Sequence, residues 1–328
     1  MWETTVRVGV SSVVNAPPER AWSLLRSPEA WSARRVSCLM FEIPAADAGA
    51  GADAAALAPD GAADRLRFYL GAVGGRAAAR VYLVADEVPG QTICLRSPDG
   101  RVTWQLSAEP VRRGTKLRIA AAFVVLRVSK LDVASHQRGE LKAWLQNLSA
   151  SAEGRAPWPG DGAADRVREA CAAGVASTEA IECSASVDVD APLDGVSQAL
   201  LGTPELLRVV NAEKFLYSGY VPGTPVGQVG GLRYHVYRRA EGGLRANCSL
   251  VAASSPGGVI VRYVTPPFAE LTYRCEPAGA GTTLRLTLRC PGRSANGQDA
   301  HRELHAAETA ALAGRWKAAI ESLAGPGT

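Results

Sequence analysis

One pattern is written twice in this chain, and that repetition constrains its fold more than any other feature. Near the N-terminus stands Val13-Val14-Asn15-Ala16-Pro17-Pro18-Glu19-Arg20-Ala21-Trp22-Ser23-Leu24-Leu25-Arg26-Ser27-Pro28-Glu29. Later stands Val189-Asp190-Ala191-Pro192-Leu193-Asp194-Gly195-Val196-Ser197-Gln198-Ala199-Leu200-Leu201-Gly202-Thr203-Pro204-Glu205. Asn-Ala-Pro answers Asp-Ala-Pro, Leu-Leu answers Leu-Leu, and Ser-Pro-Glu answers Thr-Pro-Glu. A chain of 328 residues is also long for one hydrophobic core, so two copies of one domain are expected.

Each copy opens in the same way. Val6, Val8 and Val10 alternate as a strand with one buried face, as do Cys183, Ala185, Val187 and Val189. Asn15 or Asp190 is then placed to cap a short helix, with Pro17 or Pro192 near the first turn, where a missing N–H costs little. Ser27-Pro28-Glu29 and Thr203-Pro204-Glu205 start a second short helix. Strands follow, at about Val36–Ile43, Arg65–Leu70, Ala78–Asp86, Gln91–Arg96, Val102–Ser107 and Thr115–Arg127 in the first copy. In the second they fall at about Phe215–Val221, Gly231–Arg238, Leu244–Ala253, Val259–Val264, Ala269–Cys275 and Thr282–Cys290. Turn residues such as Pro98-Asp99-Gly100 and Glu241-Gly242-Gly243 separate them, so hairpins are expected.

Each copy closes with an amphipathic helix. Leu141, Trp144, Leu145 and Leu148 share one face, and so do Leu312, Trp316, Ala319, Ile320 and Leu323. The boundaries that result are domain 1 at 1–151, a linker at 152–177 with a short helix at 163–173, and domain 2 at 178–328. The Ala/Asp/Gly-rich stretch 44–63 reads as a loop at the mouth of the first domain.

Composition removes several function classes. The net charge of +4 is small and evenly spread, without the basic stripe of a nucleic-acid binder. The longest apolar run, Ile119–Leu126, is too short to span a bilayer. The opening MWETTVRVGV lacks a basic region followed by an apolar run, and the seven scattered cysteines form no CxxC pair. A cytoplasmic protein with reduced thiols is expected. No GxSxG elbow, Walker A loop or GxGxxG motif occurs. His301 and His305 sit four apart with Glu308 beyond them, a pattern more often solvated than metal-bound, so neither a metal nor a cofactor is expected.

Strand alternation assigns faces. In the first domain Leu66, Phe68, Leu70, Val81, Leu83, Ile93, Leu95, Val102, Trp104, Leu106, Leu117, Ile119 and Phe123 fall on one face, which is expected against the helix. Arg67, Arg80, Arg96, Thr103, Gln105, Lys116 and Arg118 fall on the other, expected in water. In the second domain Tyr234, Tyr263 and Tyr273 share the parity of the apolar residues and could turn hydroxyls toward a ligand oxygen, or serve as core aromatics with their hydroxyls at the rim. Arg233, His235 and Tyr237 lie on the opposite face. The plainer register leaves them solvated, and the alternative register brings them inside as an acid/base and anion-holding set.

The order strand, two short helices, six strands, long helix is the plan of the START/polyketide-cyclase superfamily, also called SRPBCC or Bet-v-1-like. The stretch from Val10 to Leu25 resembles its opening, and Gly139 to Leu148, with Trp144, resembles its closing helix. The resemblance covers about 4–151 and, more weakly, 179–325. It implies an α+β chain of two helix-grip domains, each a curved antiparallel sheet around a long C-terminal helix. The tandem arrangement resembles the didomain aromatase/cyclases of bacterial aromatic polyketide pathways. That likeness implies an apolar cavity, aldol cyclisation and dehydration of a polyketide-like molecule, and an acyl carrier protein as a candidate for its delivery. A non-catalytic carrier or sensor of a hydrophobic molecule is the alternative. The candidate catalytic residues are Tyr234, Tyr273, His235 and Arg233; the candidate ligand-binding residues are Phe68, Leu83, Trp104, Phe123, Trp144, Tyr217, Tyr263 and Trp316.

Overall fold

The computed structural model describes residues 3–34, 37–44, 65–73, 76–126, 130–157, 162–172, 180–211, 215–238, 244–266, 268–291 and 298–324. The Ala/Asp/Gly-rich stretch lies outside these residues beyond Pro44.

The first half runs β1 (Glu3–Val14), α1 (Pro18–Arg26), a 3₁₀ helix (Pro28–Arg34), β2 (Cys38–Glu42), β3 (Leu66–Val73), β4 (Arg76–Val88), β5 (Thr92–Arg96), β6 (Val102–Val111), β7 (Gly114–Leu126) and α2 (Lys130–Ala152). The helix α3 (Ala163–Ala172) follows. The second half runs β8 (Ala180–Val189), α4 (Leu193–Leu201), α5 (Pro204–Asn211), β9 (Tyr217–Tyr220), β10 (Leu232–Arg238), β11 (Leu244–Ser255), β12 (Gly258–Tyr263), β13 (Glu270–Ala278), β14 (Gly281–Pro291) and α6 (Gln298–Ala324). Each half forms one seven-stranded sheet, ordered β1-β7-β6-β5-β4-β3-β2 and β8-β14-β13-β12-β11-β10-β9, with every described pairing antiparallel. The chain is α+β, with two helix-grip domains.

Matching devices bend and close the two sheets. The register shifts between Val84 and Asp86 in β4 and between Val251 and Ala253 in β11, and such bulges increase local bend and twist. Gly114 sits at φ +116°, where a Cβ would come 2.1 Å from the Val14 carbonyl oxygen; at Gly281 a Cβ would come 2.5 Å from that of Val189. Only a residue without a side chain lets the hairpin approach the first strand so closely. Thr115 and Thr282 donate their hydroxyls to the carbonyls of Ala16 and Ala191 at 2.7 and 2.8 Å.

Asn15 and Asp190 do not cap the first helices. Pro17 and Pro192 hold the cap positions, with no side-chain cap bond. The backbone N–H groups of Asn15 and Asp190 instead donate to the carboxylates of Glu153 and Glu321, each at 2.9 Å. The glutamates therefore tie the C-terminal part of each half to the end of its first strand.

The long helices bury the expected stripes. Leu141, Trp144, Leu145 and Leu148 are buried in α2, as are Trp316, Ala319 and Ile320 in α6, while Leu312 is partly buried. Leu323, expected on the same stripe, is 68% exposed near the end of α6.

The face assignment of β3 and β4 is corrected by the structure. Leu66, Phe68, Leu70, Val81 and Leu83 do not face α2. They join Leu39 and Phe41, then Tyr217, Val221, Leu232, Tyr234, Val236 and Cys248 of the second half, in one apolar cluster between the domains. Phe41, Phe68 and Tyr234 pack ring against ring, with centroids 5.1 to 5.3 Å apart. The linker helix α3 wedges Ala163, Val167 and Cys171 into the same cluster. The Ala77 N–H donates to the Val264 carbonyl at 3.0 Å, joining the two halves through backbone. The expectation failed because β3 is covered on both sides, so alternation separates polar from apolar residues without telling which face the helix covers. Arg67, expected in water, is fully buried on the helix side.

A shared apolar seam makes the two halves one unfolding unit. A single cooperative transition is expected in urea, monitored by both tryptophan fluorescence and far-UV circular dichroism. Phe68→Ala is expected to lower stability by about 3–5 kcal/mol, and separate transitions for the two halves of the unsubstituted protein would contradict the shared core.

Candidate functional site

The seam decides which groups enter the second domain. Residues alternate across a strand, so Tyr234 in the seam places Arg233 and His235 on the other face of β10, inside the second domain. The alternative register is the one observed: Arg233 is 3% and His235 4% exposed. Tyr234 and Tyr217 are excluded from that interior, since both belong to the seam.

Cross-strand partners share a face, and they build two polar tiers. The first joins Tyr220, Arg233, Ser249 and Tyr263 across β9 to β12. The second joins Ser218, His235 and Asn247. Below them Tyr273 packs edge-on against Trp316, with ring centroids 5.7 Å apart. Around these groups lie Val251, Val259, Val261, Leu271, Leu284 and Leu286, which close the apolar core against α6.

Arg233 is held firmly. Its Nε donates to the Tyr220 hydroxyl at 3.1 Å, and its Nη2 donates to the Leu200 carbonyl at 3.1 Å and to that of Leu201. Tyr220 also donates to the Leu201 carbonyl. The guanidinium thus caps the C-terminal end of α4, where the helix dipole favours a cation. Gly202 ends the helix at φ +68°, where a Cβ would come 3.0 Å from the Leu207 side chain.

His235 Nδ1 lies 2.9 Å from Ser218 Oγ, and the ring stacks on Phe215 at 4.6 Å. Asn247 Oδ1 and Ser249 Oγ are buried without a hydrogen-bond partner among the described residues. Burial pushes the Tyr263 and Tyr273 phenols above their usual range, against the opposing charge of Arg233. Both therefore remain protonated and keep an O–H to donate.

The first domain repeats the arginine and changes its surroundings. Arg67 caps α1, donating Nη2 to the Arg26 carbonyl at 2.7 Å. Its neighbours are charged: Arg67 meets Glu42 at 3.2 Å, Arg65 pairs with Glu42 and, at 2.5 Å, with Glu87, and Glu87 meets Arg26 at 2.7 Å. The remaining interior is aromatic. Trp104, Phe123 and Trp144 lie in the core under α2, together with Trp31 and Tyr82. Phe68 and Leu83 are absent from it, because they face the second domain.

Four candidate residues thus meet in the second domain's interior with Arg233: His235, Tyr263, Tyr273 and Trp316. Three candidates share the first domain's interior, namely Trp104, Phe123 and Trp144. Phe68, Leu83, Tyr217 and Tyr234 lie between the domains. Sequence reading missed Ser218, Asn247 and Ser249, whose small polar side chains carry no motif; their one signal was strand parity with His235 and Arg233. His305 Nδ1 lies 3.6 Å from Glu308 Oε2, and the described residues hold no cluster of three groups able to bind a metal ion. Among the described residues no helix is long and apolar enough to cross a membrane.

No family model and no curated protein matches the sequence. Solved structures match nearly the whole chain or about half of it. The didomain ARO/CYC StfQ from the steffimycin biosynthetic pathway is 10% identical with a TM-score of 0.37, covering 97% of this chain and 100% of that one. The didomain ARO/CYC BexL from the BE-7585A pathway is 14% identical with a TM-score of 0.33, covering 98% and 99%. A protein of unknown function from Staphylococcus aureus, SA2116, is 10% identical with a TM-score of 0.38 and covers 45% of this chain and 98% of its own. At such identities and scores, the fold assignment rests on the strand order and helix placement described above.

The charged network around Arg67 gives a pH prediction. Burial raises the Glu87 carboxyl, but the hydrogen bonds and charges of Arg65 and Arg26 outweigh it and hold the group below its ordinary value. Glu42 behaves likewise through Arg65 and Arg67. A carboxyl depressed in the folded state stabilises above its unfolded value, about pH 4.3, and that stabilisation is lost as pH falls through the folded value. Urea midpoints are expected to fall below about pH 4. Glu87→Gln is expected to be less stable at pH 7 and to flatten that acid limb.

Proposed function

We propose that the second domain binds a largely apolar, polyketide-like small molecule and promotes its cyclisation and aromatisation by aldol closure and loss of water. The observation that carries this reading is the polar row on an otherwise apolar concave face: Arg233, Tyr263 and Tyr273, with the His235–Ser218 pair beside them. Such closure requires a proton acceptor near an acidic C–H and donors for the developing enolate oxygen. With Nδ1–H donating to Ser218 Oγ, the basic lone pair of His235 falls on Nε2. Tyr263 and Tyr273, held protonated, and Arg233, always charged, are the donors. Trp316 supplies an apolar wall, and Trp104, Phe123 and Trp144 supply one in the first domain. Holding a flexible chain in one reactive shape would contribute much of the rate. Delivery of the substrate on an acyl carrier protein belongs to the same reading.

A carrier that performs no chemistry is the alternative. It is favoured by the way Arg233 is occupied: its Nε and Nη2 already serve Tyr220 and the end of α4.

The test is turnover of a short poly-β-ketone thioester mimic by the full chain, read from the rise of aromatic absorbance. His235→Asn and Tyr273→Phe are each expected to slow it by about 100-fold, with the folded state of each variant checked by circular dichroism. Binding of the mimic with no turnover, unchanged in both variants, would establish the carrier.

A further inference from the structure

We infer that the free edge of β1, with the groove beside it, is a docking surface for an acidic segment of a partner protein, bound in extended form as an added strand. The surface lies outside both domain interiors and does not depend on the chemistry proposed for the second domain.

β1 ends its sheet and pairs only with β7. The backbone groups on its other side therefore have no strand partner. Natural proteins blunt such edges with prolines, bulges or cover. Between Val6 and Val14 there is no proline, and the register with β7 runs unbroken from Glu3↔Leu126 to Val14↔Thr115. Cover is incomplete as well. A groove of about 590 Å³ runs between Gly9–Ser12 and the stripe Arg138, Lys142, Leu145 and Ser149 of α2. Among the described residues no side chain bonds to the backbone of Gly9–Ser12. The second half treats its matching edge differently: α6 sends Lys317 to the main-chain carbonyl of Asp188 in β8. Lys317 follows Trp316 as Leu145 follows Trp144, and leucine cannot make that bond.

Charge selects the partner. The groove carries Arg138, Lys142 and Arg155, and a second hollow of about 340 Å³, which shares Gly9 with it, carries Arg7 and Arg118. Neither is lined by an aspartate or a glutamate. Arg155 meets Glu153, while the other four cations have no ion pair among the described residues. Arg138 and Lys142 are one helical turn apart and so share a face; the corresponding positions of α6 are Ala310 and Gly314. Unpaired cations on both sides of a strand edge favour an acidic chain. No aromatic side chain lines either hollow, which leaves nucleic-acid bases nothing to stack on. The extended form follows from the edge itself, since only a strand offers partners to a row of waiting N–H and C=O groups. From Arg138 to Ser149 the stripe spans about 16 Å of helix, the reach of about five extended residues. Val13, 56% exposed on the same strand, adds an apolar contact.

The test titrates the full chain with a fluorescent heptapeptide in which glutamate alternates with valine or threonine. Replacing its glutamates by glutamine is expected to weaken binding at least about 10-fold. Two further versions carry N-methyl groups on the odd or on the even backbone amides and keep the charge. One should bind about 10-fold more weakly and the other almost normally, because only alternate amides face β1. Arg138→Gln with Lys142→Gln should cost about 5–10-fold. Arg274→Gln with Arg285→Gln, which removes the same charge from exposed positions of the second half, should cost nothing. Saturating peptide should slow hydrogen exchange in residues 3–14 and leave residues 180–189 unchanged. Equal binding of the glutamine peptide, equal binding of the two N-methylated versions, or equal losses in the two double variants would overturn the inference. So would protection absent from residues 3–14, no binding at millimolar peptide, or capture of phosphatidylglycerol vesicles in the peptide's place.

Discussion

The apolar seam between the two sheets is the constraint on which the rest of this structure depends. A curved sheet wrapped around a helix normally leaves its outer face to water. Here the outer faces of β2 to β4 and β9 to β11 carry Phe41, Phe68, Tyr234 and their aliphatic neighbours, and each covers the other with α3 wedged alongside. That cover fixes the register by which side chains choose a face. Tyr234 is drawn outward into the seam, so Arg233 and His235 must point inward. Remove the cover and hydrophobicity would favour the opposite facing of β10. The chemistry available inside the second domain is thus a consequence of how the two domains meet.

The two halves keep one frame and differ in what they enclose. The shared parts are scaffolding: the strand bulges, the close glycines at 114 and 281, the threonines beside them, the glutamates holding Asn15 and Asp190, and the arginine that closes the first helix. The divergent parts lie on the inner faces. Around Arg67 stand charged partners, with an indole-walled interior beyond. Around Arg233 stand phenols, a histidine and small polar residues. An interior can vary in this way because its residues touch mainly each other, while the frame is held by backbone geometry that tolerates little change.

Burial of charge in both halves is managed by the same device. In each half one arginine Nη2 donates to a helix-end carbonyl, while Arg67 Nε and Nη1 stay buried with no hydrogen-bond partner among the described residues. The remaining donors are then free to differ in role. In the first half Arg67 also anchors an ion-pair network that depends on ionised glutamates. In the second, the Tyr220 hydroxyl takes a charged donor's hydrogen bond, and among the described residues no carboxylate pairs with Arg233 beside the phenols.

What the sequence determined by itself was whatever depends on local periodicity and on repetition. The doubled opening motif, the strand runs, the tryptophans of the two closing helices and the helix-grip order were all legible, because they follow from spacing along one segment. The candidates Tyr263, Tyr273, Trp104, Phe123, Trp144 and Trp316 were placed on inner faces for the same reason: their strands or helices have one apolar face. Only tertiary structure decided the facing of β3, β4 and β10. Both faces of those strands are buried, one by a helix and one by a neighbouring domain, so alternation along the chain contains no record of which is which. For that reason Phe68, Leu83, Tyr217 and Tyr234 moved to the seam, and Arg67, Arg233 and His235 moved inside.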